Sequence, residues 1–466
     1  MSSSEYKPLQ RALADSIIRK VPIDEIRILL ASGAKVDEPV NRGLRPLHYA
    51  VWQGYFEAAR LLITRGADLN AIDKCGYSPL HLAAEHGYPE IARLLLQSGA
   101  QVNYRLNTGE EFPRRTLCDE PLRLAILNNH MDIARMVLEH GADPNKRYFF
   151  GTEINLTTDL KVLELLLTFG GNPNSRDRSG LTPLMKVVRQ PYGMEAALVL
   201  LKYGADVNAM TDERHDYRNP LHYAVLSGDY DVINLLIKQG AKLNYDKEAN
   251  LGKPSPLDLS ILRGDPKIVE LLIREGADVN CSSPLIGSPL HVACADSIPH
   301  RHEILQMLLK AGADPNLKVY NEVGEHCLQL RPVLVEYLAC NSNPSLGIVN
   351  LLIKYGARVI MKIQICDPDG MLNCLYNVIH GEWGEAIFRL LLQACEAFDT
   401  LMIRKNGVMR PKQKEELLEL ASGPLSLKKQ VRLFLRRSLG GKELVDSVRS
   451  FRLPRCLEKY LLFDYS

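Results

Sequence analysis

The chain has 466 residues, 46% hydrophobic and 24% charged, with 57 Lys and Arg against 55 Asp and Glu for a formal net charge of +2. Those values belong to a globular chain with ample apolar material for a core, which excludes disorder as the default. The near-neutral balance gives no electrostatic ground for nucleic acid as the main partner, and no apolar run reaches the ~18 residues that would span a membrane.

The first residues, MSSSEYKPLQ, lack the basic-then-apolar order of a secretory leader. A cytoplasmic setting is therefore expected, with the nucleus as the alternative, and thiols there stay reduced. None of the ten cysteines forms a C-x-x-C pair; the nearest two, Cys366 and Cys374, are eight apart. His300 and His302 follow Cys294 without a second ligand pair nearby, so no metal site is read. The cysteines are assigned to the core as small apolar residues.

From Gly33 onward a Gly-Ala pair followed by Asp or Asn recurs: GAKVD, GADLN, GAQVN and GADPN at Gly33, Gly66, Gly99 and Gly141. Further copies stand at Gly204, Gly240, Gly276 and Gly312, with degenerate ones at Gly170 and Gly356. A second marker lies upstream of the glycine: PLHYA at Pro46, PLHLA at Pro79, PLHYA at Pro220 and PLHVA at Pro289. Variants occur at Pro121, Pro183 and Pro256. Proline at the first helical position needs no hydrogen bond there and has its φ already set. Ser78, Thr182, Ser255 and Ser288 precede it as N-caps. A longer second helix follows, as in EIARLLLQSGA, where Ile91, Leu94 and Leu95 share a face and Gly99 closes the helix in the left-handed conformation. A period near 33 with these two markers resembles ankyrin repeats, which implies that stacked neighbours bury one another's apolar faces. The histidines His48, His81, His222 and His291 lie a repeat or more apart, so they cannot converge on one ion; a structural role is read for them.

Departures from the period mark candidate recognition loops. One insertion falls at 103–120 and another at 318–345, and the short unit after Gly141 has lost its first-helix marker. That unit carries Arg147-Tyr148-Phe149-Phe150, expected to pack against a shortened helix. Residues just beyond each inner-helix core are not needed for stacking, so they are the candidate contacts for a partner. They are Trp52, Gln53, Glu85, His86, Leu127, Arg189, Leu226 and Leu262, with Trp52 foremost because tryptophan is enriched at binding hot spots. No phosphate-binding loop, nucleophile elbow, zinc-protease or kinase motif occurs, so neither an enzyme nor a cofactor is expected.

After the pair ending near Phe398 the markers stop. Residues 406–423 read as a basic linker with a short helix. Residues 424–466 hold ten Lys and Arg against four Asp and Glu, a local charge of +6 that is expected to lie on the solvated side of helices. SLKKQVRLFLRRSLGG places Leu427, Val431 and Leu435 on one stripe of a helix ended by Gly440 and Gly441. KELVDSVRSF makes a second helix, and Pro454 starts a third. Three short helices form too small a core to stand comfortably alone, and periodicity leaves open whether the stripe caps the array or meets another protein.

This tail resembles a SOCS box, and the whole chain is similar to the ankyrin repeat and SOCS box family. The elongin-binding half resembles S-L-x-x-x-C-x-x-x-L, matched by Ser426, Leu427 and Leu435 with Val431 in place of cysteine. The cullin-binding half resembles I-x-x-L-P-L-P-x-x-L-x-x-Y-L-L. Val448, Phe451, Leu453, Pro454, Leu457, Tyr460, Leu461 and Leu462 fall in register, with Arg452 where the first proline is expected. The resemblance implies an all-α chain: an ankyrin-repeat solenoid of about ten to eleven repeats over 1–405, the linker, and a three-helix SOCS box over 424–466. It implies a non-catalytic adaptor that binds an unidentified substrate protein through the repeats. Leu427, Val431 and Leu435 would hold elongin C with elongin B. Val448, Phe451, Leu453, Pro454, Leu457, Tyr460 and Leu461 would hold cullin-5 with its RING protein. Neither nucleic acid nor a membrane is among the expected partners. The alternative is a ligase-independent ankyrin scaffold whose tail caps the array.

Overall fold

A computed structural model describes the chain except residues 1–5, 105–118, 192, 245–252, 284–285, 321–327, 364–366, 368, 424–425, 440–443 and 464–466. The first insertion, 103–120, therefore lies almost wholly outside the described residues, as do Gly440 and Gly441. The chain divides into two compact units, Met1–Ala209 and Met210–Ser466. No described helix is long and apolar enough to cross a membrane.

The first unit holds six helix pairs among its described residues, opening with Tyr6–Ile18 and Ile23–Ala31. That opening pair precedes the first Gly-Ala marker, and Gly33, with φ of 106°, closes it. Pro46–Trp52 with Phe56–Thr64, and Pro79–His86 with Pro89–Gln97, show the rule of the array. The inner helix is short and buried almost throughout; the outer one buries a single face, such as Ile91, Ala92, Leu95 and Leu96. The unit without its Pro-Leu-His marker still forms an inner helix, Glu153–Leu156, one turn long. Tyr148 packs there at 4% exposure beneath the Arg123 guanidinium, 4.5 Å from its ring, whereas Phe150 remains 51% exposed. The expected packing thus holds for the tyrosine and not for Phe150.

Among its described residues the second unit holds five more repeat pairs, from Pro220–Ser227 with Tyr230–Lys238 to Tyr376–His380 with Gly384–Ala394. The second insertion is not an added loop. It contains the inner helix of its repeat, Val333–Cys340, preceded by a small antiparallel pairing of Val319–Tyr320 with Leu328–Leu330. A prolyl entry at Pro332 replaces the usual marker, so spacing alone could not find it. Residues 406–423 contain the expected short helix. Pro411–Ser422 pairs with Thr400–Lys405, and Ile403, Met409 and Leu417 are buried between them.

A hydrogen-bond ladder explains the Asn of the repeated marker. Asn103, Asn145 and Asn174 in the first unit each accept from a backbone N–H of the next repeat, at Asp143, Asn172 and Asp206, over 2.6–3.0 Å. Each also donates its amide to the helix-closing glycine carbonyl of that repeat, Gly141, Gly170 or Gly204. Asn244, Asn280 and Asn316 repeat the arrangement in the second unit. One side chain satisfies a donor and an acceptor that the turn would otherwise leave to water.

Candidate functional site

The terminal module is built from three helices, Leu427–Leu439, Leu444–Ser450 and Arg455–Leu461. Ser426 starts the first by accepting the Lys429 N–H on its hydroxyl at 3.3 Å, which accounts for the serine of the Ser-Leu pair. Leucine then stands at the first helical position, left largely open by the described residues.

The two faces of this helix are inverted relative to expectation. Leu427 is 76% exposed, Val431 46% and Phe434 67%, while Arg432 and Arg436 are buried at 4% and 8%. While Lys428 and Arg437 stay exposed, two of the basic residues expected on the solvated side, Arg432 and Arg436, are turned inward. Their stems and planar heads pack on aromatic rings: Arg432 lies 4.0 Å from the Tyr460 and Phe463 ring centroids, and Arg436 4.8 Å from Phe463. Arg432 donates to the Tyr460 carbonyl at 3.2 Å. Arg436 donates to Leu461 O at 3.2 Å and to Ile353 O at 2.5 Å.

Those two acceptors are carbonyls at the C-terminal ends of Arg455–Leu461 and Leu346–Lys354. Helix C-terminal ends carry partial negative charge, so a buried cation there is electrostatically placed, and Ile353 O accepts from it in addition to the Gly356 N–H at 3.0 Å. Burial nonetheless pulls the Arg436 pKa down to about 10, leaving it charged at neutral pH. Arg437 extends the junction to Glu396 at 3.2 Å, and Arg358 joins the same carboxylate at 3.4 Å. Within this unit, therefore, the terminal module is bolted to the last repeats.

Leu427, Val431 and Leu435 line an open groove of about 410 Å³ together with Leu453, Leu457, Tyr460 and Leu461. Residues expected to serve two different partners thus converge on one groove. Phe451 and Pro454 are exposed outside it. Val448 is buried at 1%, and Leu461 and Leu462 at 6% and 2%. Buried Val448 does not face outward; with Leu444, Val445 and Phe463 it forms the interior that holds the three helices together. Arg452 has a φ of 50°, a left-handed value closed to proline. Its departure from the expected proline is therefore a conformational requirement of this turn.

The eight candidate partner contacts all reach the surface. In the first unit Trp52 is 51% exposed with its ring 5.9 Å from that of exposed His86; Gln53 and Glu85 are half-buried, and Leu127 and Arg189 are exposed. In the second, Leu226 and Leu262 are 42% and 50% exposed, and Arg263 donates to the Leu226 carbonyl at 2.8 Å. Counting from the Pro-Leu-His marker missed Trp383, 51% exposed, and Tyr376, 58% exposed and edge-on to His380 at 4.6 Å. Their repeat lacks the marker, so no register reached them; tryptophan itself was the available signal, since the chain has two.

The marker histidines occupy a structural slot. Nδ1 of His48 accepts from its cap residue's N–H, and its Nε2 meets Tyr77 O at 3.1 Å; His291 does the same with Arg331 O at 2.8 Å. Burial lowers the pKa of both, and that of His222 to about 3. Asn155 fills the slot in the one-turn helix, accepting from Thr152 and donating to Ser175 O at 2.9 Å. Among the described residues no group of three or more His, Cys, Asp or Glu is gathered as a metal site would need.

Comparison with known proteins matches this anatomy. A family model described as ankyrin repeats in three copies matches residues 8–73, 23–106, 72–148 and 155–247, and a single ankyrin repeat matches 255–284 and 288–319. The SOCS box matches residues 423–462. The chain belongs to the ankyrin repeat and SOCS box family. Ankyrin repeat and SOCS box protein 8 of Homo sapiens, Pongo abelii and Macaca fascicularis is 39% identical over 84 residues. The match covers 17% of this chain and 28% of those relatives. The solved ankyrin repeat domain of Bcl-3, described as a unique member of the IkappaB protein family, aligns at 23% identity and a TM-score of 0.41, over 48% of this chain and 97% of that one. The fold is an ankyrin-repeat solenoid, mostly helical, with a C-terminal SOCS box. No catalytic family is found, and this family architecture is typically that of a non-catalytic adaptor.

Proposed function

We propose that the chain is the substrate-recognition subunit of an elongin B/C–cullin-5 RING ubiquitin ligase, working in the cytoplasm. The array binds a target protein, and the SOCS box recruits the machinery that ubiquitinates it for proteasomal degradation. The observation that carries the reading is the outward apolar stripe of Leu427, Val431 and Leu435. An amphipathic helix that turns its apolar face away from its own core is a surface for another protein. Catalysis is then by proximity: a ubiquitin-loaded enzyme is held beside lysines of the bound target.

Leu427, covered by elongin C, contributes about 1.5–3 kcal/mol, one to two decades of affinity. Leu427→Asp is expected to abolish capture of elongin B/C while leaving the melting temperature unchanged. Equal capture by both proteins, or none by the wild type, overturns the ligase reading and leaves a ligase-independent scaffold. Phe451→Ala with Pro454→Ala, both outside the groove, is expected to lose cullin-5 and retain elongin.

A further inference from the structure

Turns between repeats of the first unit carry two residues at their tips. Arg42-Gly43 lie between the bridged Asn41 and Leu44. Lys74-Cys75 and Arg178-Ser179 lie under the bonds that Gly76 N–H and Gly180 N–H make to Asp73 O and Asp177 O. Phe149-Phe150 occupy the same place between Tyr148 and Gly151, which exchange both backbone bonds at 2.8 and 3.2 Å. The first three tips are led by a cation; the fourth holds two phenylalanines, which turn chemistry does not ask for.

This tip is held in shape. Tyr148 at its base is buried beneath Arg123. A Cβ at Gly151 would meet Asp177 Cα and Asn155 Cβ at 3.2 Å each, so the turn lies hard against its neighbour. Arg178 N–H donates to Phe150 O at 3.4 Å, as Lys74 N–H donates to Arg42 O at 3.1 Å. The Phe149 ring lies 4.2 Å from the Arg178 guanidinium and meets Phe150 edge-on at 4.9 Å, and Phe150 stays 51% exposed. The open charge beside it is of one sign. Asp177 Oδ1 accepts the N–H groups of Ser179 and Leu181, and its Oδ2 holds Lys186 at 2.5 Å. Glu153 is buried against Arg123. Arg176 and Arg178 are exposed, and Arg176 gives one N–H to Gly180 O at 3.1 Å. No described carboxylate pairs with Arg178, whose edge keeps its donors while its face rests on the ring.

We propose that this tip docks an acidic segment of the protein that the array binds. One apolar residue of the segment packs on Phe150, and a flanking carboxylate meets the edge of Arg178. A basic segment would face like charges, and a segment without an apolar residue would leave the ring in water. A nucleic-acid strand needs successive stacking platforms along a cationic groove, and the tip offers one aromatic pair. The proposal rests on the array being a partner-binding surface and is independent of what the SOCS box recruits.

A random-peptide phage library is selected on the full chain at low salt, with Phe150→Ser and Arg178→Gln as counter-selections. Peptides that prefer the wild type to both variants are expected, carrying several Asp or Glu around one aromatic or aliphatic residue. They are expected to bind the wild type at least ~10-fold more tightly than either variant and to weaken as salt is raised. The proposal is overturned if no peptide tells the wild type from the variants, or if those that do are basic or uncharged. It is overturned equally if oligo(dT) binds more tightly than the peptides and loses that binding in both variants. Both variants are expected to keep the wild-type melting temperature; a drop for Phe150→Ser would mean that the chain itself covers the ring, which also overturns it. Elongin capture, measured on the same proteins, is expected to stay unchanged, so a failure here is separable from a failure of the ligase reading.

Discussion

The helices Pro266–Arg274 and Leu427–Leu439 are both amphipathic, and they turn opposite faces inward. The array helix buries Ile268, Val269, Leu271 and Leu272, each at 1% exposure or less, and leaves Lys267, Glu270 and Arg274 in water. The box helix buries two arginines with Leu433 between them and presents Leu427, Val431 and Phe434 to solvent. The first uses its apolar stripe for folding. The second holds its place through guanidinium groups on helix-end carbonyls, which frees the stripe for a partner. Amphipathic period reports that one face is apolar; it does not report which face the chain itself covers.

The largest expected effect breaks or confirms this contrast directly. Leu272→Ala should lose about 2–5 kcal/mol of stability through the cavity it leaves. Leu427→Ala should lose less than ~0.5 kcal/mol. Chemical denaturation of both variants is the measurement, and comparable losses would mean that the box stripe is internal after all. Next in size is Arg436→Met, which keeps a stem but removes the donor from the carbonyls of Leu461 and Ile353. A loss of about 2–4 kcal/mol is expected, seen as faster amide exchange across residues 427–463 with the array around 256–309 still protected. Uniform exchange throughout would show that Arg436 does not fasten the box.

Much of this was legible beforehand. The repeat glycines and Pro-Leu-His markers place most helices, because backbone φ and capping are local requirements that particular residues meet. The box stripe of Leu427, Val431 and Leu435 was legible for the same reason. What escaped had non-local causes. The opening helix pair and Val333–Cys340 lack the markers and are recognised only by what they pack on. The burial of Arg432 and Arg436 depends on carbonyls more than twenty residues away in sequence. The one-groove meeting of Leu427 with Leu453 and Leu457 is a tertiary fact that a linear two-part motif does not contain.

Arg452 sharpens the contrast at a single backbone position. Its φ of 50° excludes proline, and its N–H donates to Arg449 O at 3.1 Å. Arg452→Pro should therefore destabilise the box by about 1–3 kcal/mol, while Arg452→Gly, at ease in that conformation, should be neutral or mildly stabilising. Thermal melts of the two variants decide it. A proline variant as stable as wild type would show that the turn adopts another conformation.

The smallest expected effect lies in the array, at a buried carboxyl held by a serine cap rather than by a cation. Asp258 fills the slot taken elsewhere by histidine or Asn155. Its Oδ2 accepts from the Ser255 N–H at 2.9 Å and hydroxyl at 2.7 Å, while Oδ1 is buried without a partner among the described residues. Asn155 donates through its Nδ2 to Ser175 O; an ionised carboxylate cannot donate. Burial accordingly pushes the Asp258 pKa up to about 6. A carboxyl that binds its proton more tightly folded than unfolded adds stability below its unfolded value of about 4. That contribution is lost as pH rises through about 6. Asp258→Asn supplies a permanently neutral group with a donor, so it should stabilise the second unit by about 1–2 kcal/mol at pH 7. The advantage should shrink on acidification through pH 6 and vanish near pH 4. Denaturation midpoints of wild type and variant across that range test the sign as well as the size: an advantage that grows toward acid would mean that Asp258 is held as a stabilised carboxylate.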